Sequence, residues 1–327
     1  MNPALRFSLL GTGLFLAMLL ALSLGKYPIG IEGWRGLFDG TATEVVRSVV
    51  FELRLPRILA AVLVGAALSV SGAAFQSMFV NPLVSPSLLG VLAGASFGAA
   101  LGILLSQSWF VVQLLTFAFG ALAVLFAMGI AVMYRGAGIL ILVLGGIIST
   151  SLFTSLLSVV KYTADPYDQL PSIVYWLMGS FALVERSTLT AIALPMLLGI
   201  ATLMLLSKYL NVLSMGDDEA KALGVNVRAI RIAAIAAATL ISSLTVVTAG
   251  VIGWVGLVIP HIARMMVGPD NRVLIPVSAM VGGIYLLAVD TLSRTLFDSE
   301  IPIGILTALV GIPAFVVILK NARKGWS

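Results

Sequence analysis

Three arginines stand where an apolar chain has little use for them. Arg54 and Arg57 flank Leu55-Pro56, and Arg294 closes a later apolar run. Guanidinium forks suit bidentate capture of carboxylates, on a docking protein or on an anionic ligand. The competing reading is snorkelling at a membrane edge, or pairing with nearby Glu52 and Asp298. A second group is hydroxylic: Ser151, Thr154, Ser155 and Ser158 recur at i, i+3, i+4, i+7 and so share one helix face. They could line a wet pathway, or simply hydrogen-bond to neighbouring helices or to carbonyls one turn back. The third group is a polar island, Met215 to Arg231, in otherwise apolar surroundings. Other chemistry is poorly served. The chain has no Cys and one His, which excludes thiolate and His-rich metal sites, and His261 reads as a hydrogen-bonded interfacial group. There is no Gly-x-x-x-x-Gly-Lys-Ser/Thr phosphate loop, so the chain is expected to hydrolyse nothing alone.

The elements that must position these groups follow from composition. Of 327 residues, 60% are hydrophobic and 10% charged, with a mean hydropathy of +1.12. A soluble globule would carry about a quarter charged residues. The runs are apolar on all sides, whereas β-barrel strands alternate, so helices are expected. A bilayer core of about 30 Å needs roughly 20 apolar residues per helix. Ten candidate spans result: Phe7 to Gly25, Arg57 to Phe79, Leu88 to Leu105, Trp109 to Met133, Ile139 to Val160, Leu189 to Leu206, Ile232 to Ala249, Val251 to Val267, Val273 to Val289 and Ile303 to Leu319. The first is long for a signal segment and reads as retained.

An even number of spans places both termini on one side. With the N-terminus inside, Arg6, Arg135, Lys208, Lys221, Arg228, Arg231, Arg264, Arg272, Lys320, Arg323 and Lys324 are inner, and Lys26, Arg35, Arg47, Arg54, Arg57, Lys161, Arg186 and Arg294 are outer. The excess favours cytoplasmic termini, and puts the island in the cytoplasm and the three arginines outside. No Asp, Glu, Lys or Arg lies deep within a span, and Asp290 sits near the outer end of the ninth. That weakens an ion-coupled secondary carrier, and an intramembrane enzyme lacks its acid, base or metal groups.

Gly90, Gly94, Gly98 and Gly102 recur every fourth residue and predict a helix-packing face. Asn81 to Pro86, with two prolines, predicts a compact inner turn. In the island, Asp217 can cap a short helix with Asp218 and Glu219 in its first turn. Gly224 can close it, and Asn226 can cap a second. Two short surface helices offering Ala220 and Leu223 would look like a docking site; the alternative is a solvated loop.

Together these residues resemble the permease subunits of the iron-siderophore, haem and cobalamin family of ATP-binding-cassette importers. The pieces are Arg54-Leu55-Pro56-Arg57, Asn81-Pro82-Leu83, Leu89-Gly90-Val91, Glu219-Ala220-Lys221-Ala222-Leu223-Gly224-Val225, Gly256-Leu257-Val258-Ile259-Pro260-His261 and Glu300-Ile301-Pro302-Ile303-Gly304. The resemblance implies an all-α polytopic membrane protein of about ten helices, the type II importer architecture, as one permease domain over residues 1–327. It implies a homodimer in the prokaryotic inner membrane, two ATPase subunits below that carry ATP and Mg, and a soluble substrate-binding protein outside. This chain would bind no cofactor and no nucleic acid; lipid surrounds it. Within the loop 207–231, coupling to the ATPase would rest on Asp217, Asp218, Glu219, Ala220, Leu223, Gly224, Val225, Asn226 and Arg228. Arg54, Arg57 and Arg294 match arginines that receive acidic residues of the binding protein, and the helix bearing Ser151 to Ser158 matches a pathway-lining one. Such importers take ferric siderophores, haem, cobalamin or oxyanions such as molybdate, with ferric siderophore the favoured cargo here.

Overall fold

The apolar runs fold as helices. The computed structural model describes residues 3–105, 108–134, 138–296 and 298–322, and their regular structure is helical. Arg135, Arg323 and Lys324, counted above among the inner charges, lie outside the described residues. In chain order the first helices are α1 (Pro3–Ser23), α2 (Ile31–Asp39), α3 (Glu44–Ser48), α4 (Leu55–Met78), α5 (Val91–Leu105), α6 (Trp109–Met133) and α7 (Gly138–Thr163). There follow α8 (Gln169–Met178), α9 (Arg186–Leu205), α10 (Ser207–Leu213), α11 (Asp217–Ala222), α12 (Val227–Ala249), α13 (Val255–Val267), α14 (Asn271–Thr295) and α15 (Ile303–Ala322). A π-helical turn, Val49–Arg54, joins α3 to α4 in one rod.

Among the described residues seven helices are long and apolar enough to cross a bilayer, and three further apolar helices are shorter. The short ones are α5, α13 and the described apolar part of α15. The first loses its opening turn to a 3-10 turn, Pro86–Leu89, which ends on Gly90 at φ +85°. The second starts late because residues 250–254 are unwound, with Trp254 at φ +69°. A short helix missing from the sequence reading is α8: its ten residues are too few for a span, yet Ile173 is fully buried and packs towards α5.

The centre of the molecule is α4, packed against α9, α12, α13 and α14. Membrane helices gain little from burying apolar surface in each other's company, so close backbone approach decides which ones pair. Two glycines supply that approach. A Cβ on Gly65 would collide with the Gly282 carbonyl of α14, and one on Gly72 with the Gly256 carbonyl of α13. Gly72→Ala is therefore expected to cost about 1–3 kcal/mol, as overpacking does. A thermal melt in detergent reads this as a lowered midpoint; an unchanged midpoint would mean that the crossing yields freely.

Gly94, Gly98 and Gly102 occupy the α5 face turned to α6, where a Cβ on Gly102 would stand 2.7 Å from the Val112 Cα. Gly90 does not belong to that face. It precedes the helix, serves the left-handed turn, and abuts Ser149 and Thr150 of α7.

Candidate functional site

Two polar constellations sit at opposite ends of the bundle. At the first, α1 finishes with no basic residue in its last turn. Its terminal carbonyls have no partner within the helix, and cations are favoured there. The partners arrive from elsewhere. Arg54 Nη1 donates to Leu22 O (2.7 Å) and Ser23 O (3.3 Å), and its Nη2 to Tyr27 O. Arg294 Nη2 donates to Ala21 O.

Arg57 performs a different task. Its Nε donates to both oxygens of Asp290 (2.9 and 3.2 Å), and its two Nη groups to the two oxygens of Glu300 (3.0 and 2.9 Å). Asp290 is wholly buried, and Arg294 Nε lies 3.7 Å from its second oxygen. The three arginines are thus brought together, but with their heads turned inward: Arg54 is 5% and Arg294 7% exposed. Pairing with Glu52 and Asp298 does not occur. Glu52 faces Arg186 at 3.6 Å, and Asp298 accepts through its backbone oxygen from Lys26. Asp290 and Glu300 replace them because α14 and the segment before α15 pack on the head of α4. The i, i+4 spacing of Asp290 and Arg294 on one helix was the available signal.

At the other end, α10, α11 and α12 form an elbow. Asp217 does not cap α11; Gly216 holds the cap position without a side-chain bond. Asp217 instead accepts from Arg231 Nη2 at 2.6 Å, which staples α11 to α12. Gly224, at φ +77°, lets the chain reverse, with Gly224 N donating to Lys221 O (2.9 Å) and Val225 N to Ala220 O (3.0 Å). These two bonds satisfy carbonyls that a helix end leaves free. Asn226 accepts from Ala229 N at 3.0 Å, but the helix it caps is no short one: it is α12 itself. Ala220, expected on the surface, is fully buried and ties the six-residue α11 to the core. Leu223 remains 61% exposed, and Asp218, Glu219, Lys221 and Arg228 stand exposed around it.

A polar network carries the elbow into the bundle. Asn211 of α10 donates to Asp270 (2.6 Å) and accepts from Asn271 N (2.7 Å), and Ser77 of α4 donates to Asn271 (2.7 Å). Asp270 also caps α14, accepting from Arg272 N at 3.0 Å. Hydrogen bonds from the Arg272 side chain, then from Asn211, hold the Asp270 carboxyl down at about 2. Its folded value lies below the unfolded one, so its stabilisation is complete above the ordinary carboxylate range and is lost as pH falls through about 2. Between about pH 5 and pH 2 the melting midpoint of the wild type is expected to fall further than that of Asp270→Asn. Parallel profiles would rule this contribution out.

The hydroxyl stripe lies on the open face of α7. Ser151, Thr154, Ser155 and Ser158 are all exposed, whereas Phe153 on the opposite face is buried against Phe97 and Phe119. Ser155 and Ser158 donate to the Ser151 and Thr154 carbonyls (2.9 and 3.0 Å), so these two hydroxyls find their partners one turn back on the same exposed face. His261 lies edge-on to Phe315 at 6.0 Å, and its Nδ1 has no hydrogen-bond partner among the described residues, contrary to the bonded role expected.

Comparison with known proteins identifies the family. The model of the FecCD transport family matches residues 13–321. The molybdate import permease MolB of Haemophilus influenzae is 40% identical over 319 residues, 95% of this chain and 94% of its own. The hemin transport permease HmuU of Yersinia pestis is 35% identical over 323 residues, 95% of this chain and 96% of its own. Among solved structures, an inward-facing metal-chelate type ABC transporter superposes with a TM-score of 0.89 at 38% identity, covering 98% of this chain and 100% of that one. A family match over nearly the whole length, joined to helices long and apolar enough to cross a bilayer, makes this chain a membrane permease of the FecCD transport family.

Proposed function

We propose that this chain is the transmembrane subunit of an ATP-binding-cassette importer. The observation that carries the reading is the elbow: a short charged helix, fastened to the core yet presenting an exposed Leu223, on a chain with no phosphate loop of its own. The family match and the 0.89 superposition support it. In this reading α11 seats in a cleft of an ATPase subunit, which holds ATP and Mg. Motion passes from α11 through Asp217–Arg231 into α12, and from α10 through Asn211 into α14 and α4. The bundle crosses the prokaryotic inner membrane ten times with both termini in the cytoplasm. Two copies enclose the pathway, and the α7 hydroxyl face lines it, which gives that exposed polar stripe a wet surface to meet. A soluble binding protein delivers cargo at the opposite end, near the arginines.

Ferric siderophore is the proposed cargo. A second reading, an inorganic oxyanion, is favoured by the 40% identity to a molybdate permease. The assembly is tested by purifying the tagged chain with its co-expressed ATPase in mild detergent and weighing it by native mass spectrometry. Two copies of each subunit are expected. A lone chain that takes up cargo in vesicles on a proton or sodium gradient would replace this reading with a secondary carrier.

A further inference from the structure

A groove of about 280 Å³ runs between α6 and α12, lined by residues within 117–128 of the first helix and 232–243 of the second. At one end the helices touch: a Cβ on Gly120 would stand 2.8 Å from Ser243 Oγ. The lips, Leu125, Ile232 and Ala236, are exposed. Of the lining side chains only Thr239 and Ser243 carry polar atoms, both towards the closed end, and none carries a charge. Neither hydroxyl has a hydrogen-bond partner among the described residues, and a hydroxyl in a helix is satisfied by turning to the carbonyl one turn back.

Charge fixes the depth of this groove in the span. Arg228 and Arg231 are followed by an uncharged stretch, Ile232 to Ala249, that runs to the end of α12. The groove therefore begins at the hydrocarbon boundary on the elbow side. From Ile232 to Ser243 the helix rises about 16 Å, at about 1.5 Å per residue. Half of a hydrocarbon core of about 30 Å is nearly the same length, so the groove matches the depth of one leaflet. An unfilled slot forfeits dispersion contacts along its lining, which a run of methylenes restores. Apolar fit alone gives little preference, because lipid tails are as apolar as the wall.

Arg228 supplies the preference. It stands one turn before Ile232 on the same stripe of α12, and helical side chains lean towards the N-terminus, here towards headgroup level. Arg231 is held by Asp217 at 2.6 Å. Arg228, by contrast, is exposed and makes no hydrogen bond or ion pair among the described residues. No acidic side chain occupies that first turn, where a helix favours negative charge.

We propose that this groove binds one phospholipid of the leaflet on the elbow side, with an acyl chain along α6 and α12 and the phosphate on Arg228. In this assignment Arg228, counted above with the coupling residues, meets lipid. The site follows from the span and its charges and stands apart from the transport reading.

The test uses the full chain without its ATPase, delipidated in mild detergent, titrated with phosphatidylglycerol or phosphatidylcholine and weighed by native mass spectrometry. One tightly held lipid per chain is expected. Phosphatidylglycerol should bind about fivefold more tightly, the preference that one basic residue near the surface confers. Arg228→Gln should erase that preference. Ala236→Phe, which sets a ring into the groove from an exposed position, should remove the tight site, and Ala121→Phe should do so from the opposite wall. A melt without lipid identifies which of these variants are folded. A phosphatidylglycerol with a diazirine on its acyl chain should label residues 117–128 and 232–243 on illumination. No retained lipid, retention undiminished by a folded groove-filling variant, or labelling elsewhere overturns the acyl-chain site. A preference that survives Arg228→Gln overturns the headgroup contact. A chain dimer that falls apart on Ala236→Phe would show a second copy in the groove, which also overturns the proposal.

Discussion

Arg57→Ala leaves no folded permease. The substitution strands Asp290, a wholly buried carboxylate whose nearest remaining cation is Arg294 at 3.7 Å. Breaking a buried pair from one side costs about 3–5 kcal/mol. Total stability of a domain is on the order of 5–15 kcal/mol, so the protein is expected to fail in extraction or to melt at a much lower temperature. Neutralising the stranded partner is the control. Arg57→Ala with Asp290→Asn should recover a large part of the lost midpoint, because the buried charge is gone while the volume stays. A single variant that melts like the wild type would show that the Arg57 cluster contributes nothing to the fold. The same reasoning bears on docking: charge reversal at Arg54 or Arg57 would disturb α1 capping and the Asp290 pair first, so loss of docking in such variants does not by itself report a contact.

The second large effect is the reverse in kind. Leu223→Asp should leave the melting midpoint of the isolated chain unchanged, since Leu223 is 61% exposed. In the assembled importer the same change buries a carboxylate against an apolar cleft. An anchor of this type contributes about 2 kcal/mol or more, so affinity for the ATPase is expected to fall by at least about thirtyfold. Co-purification with the ATPase reads this directly. Full recovery of the ATPase by the variant would remove α11 from the coupling role.

Much of this architecture was legible because hydrophobic run length is a strong signal in a bilayer: each of the ten apolar stretches contains a helix. The capping role of Asn226 and the reversal at Gly224 were legible for a similar reason, since both depend on local backbone geometry. What escaped were contacts between residues far apart in sequence. Arg57 and Glu300 are joined across 243 positions, and nothing local to either names the other. Glu52 and Asp298 looked like better partners only because they are near in sequence to the arginines. Asp217 was misread as a cap because its true partner, Arg231, is reached by the chain reversal at Gly224 and not by the first turn of α11. Gly90 shows the opposite limit. Its four-residue spacing from Gly94 is real, but Pro86 starts a 3-10 turn there and the helix has not yet begun. The burial of Ala220 likewise depends on α10 and α12 closing over it, which no periodicity reveals.

The central claim is a division of labour: this chain supplies the pathway and the elbow, and a partner supplies the hydrolysis. ATP hydrolysis measured in lipid nanodiscs tests it most directly, on the purified chain, on the complex with its ATPase, and on the complex carrying Leu223→Asp. The account predicts no hydrolysis by the chain alone, steady hydrolysis by the complex, and loss of the complex and its activity in the variant. Hydrolysis by the chain alone, or an undiminished complex with Asp at position 223, would contradict it.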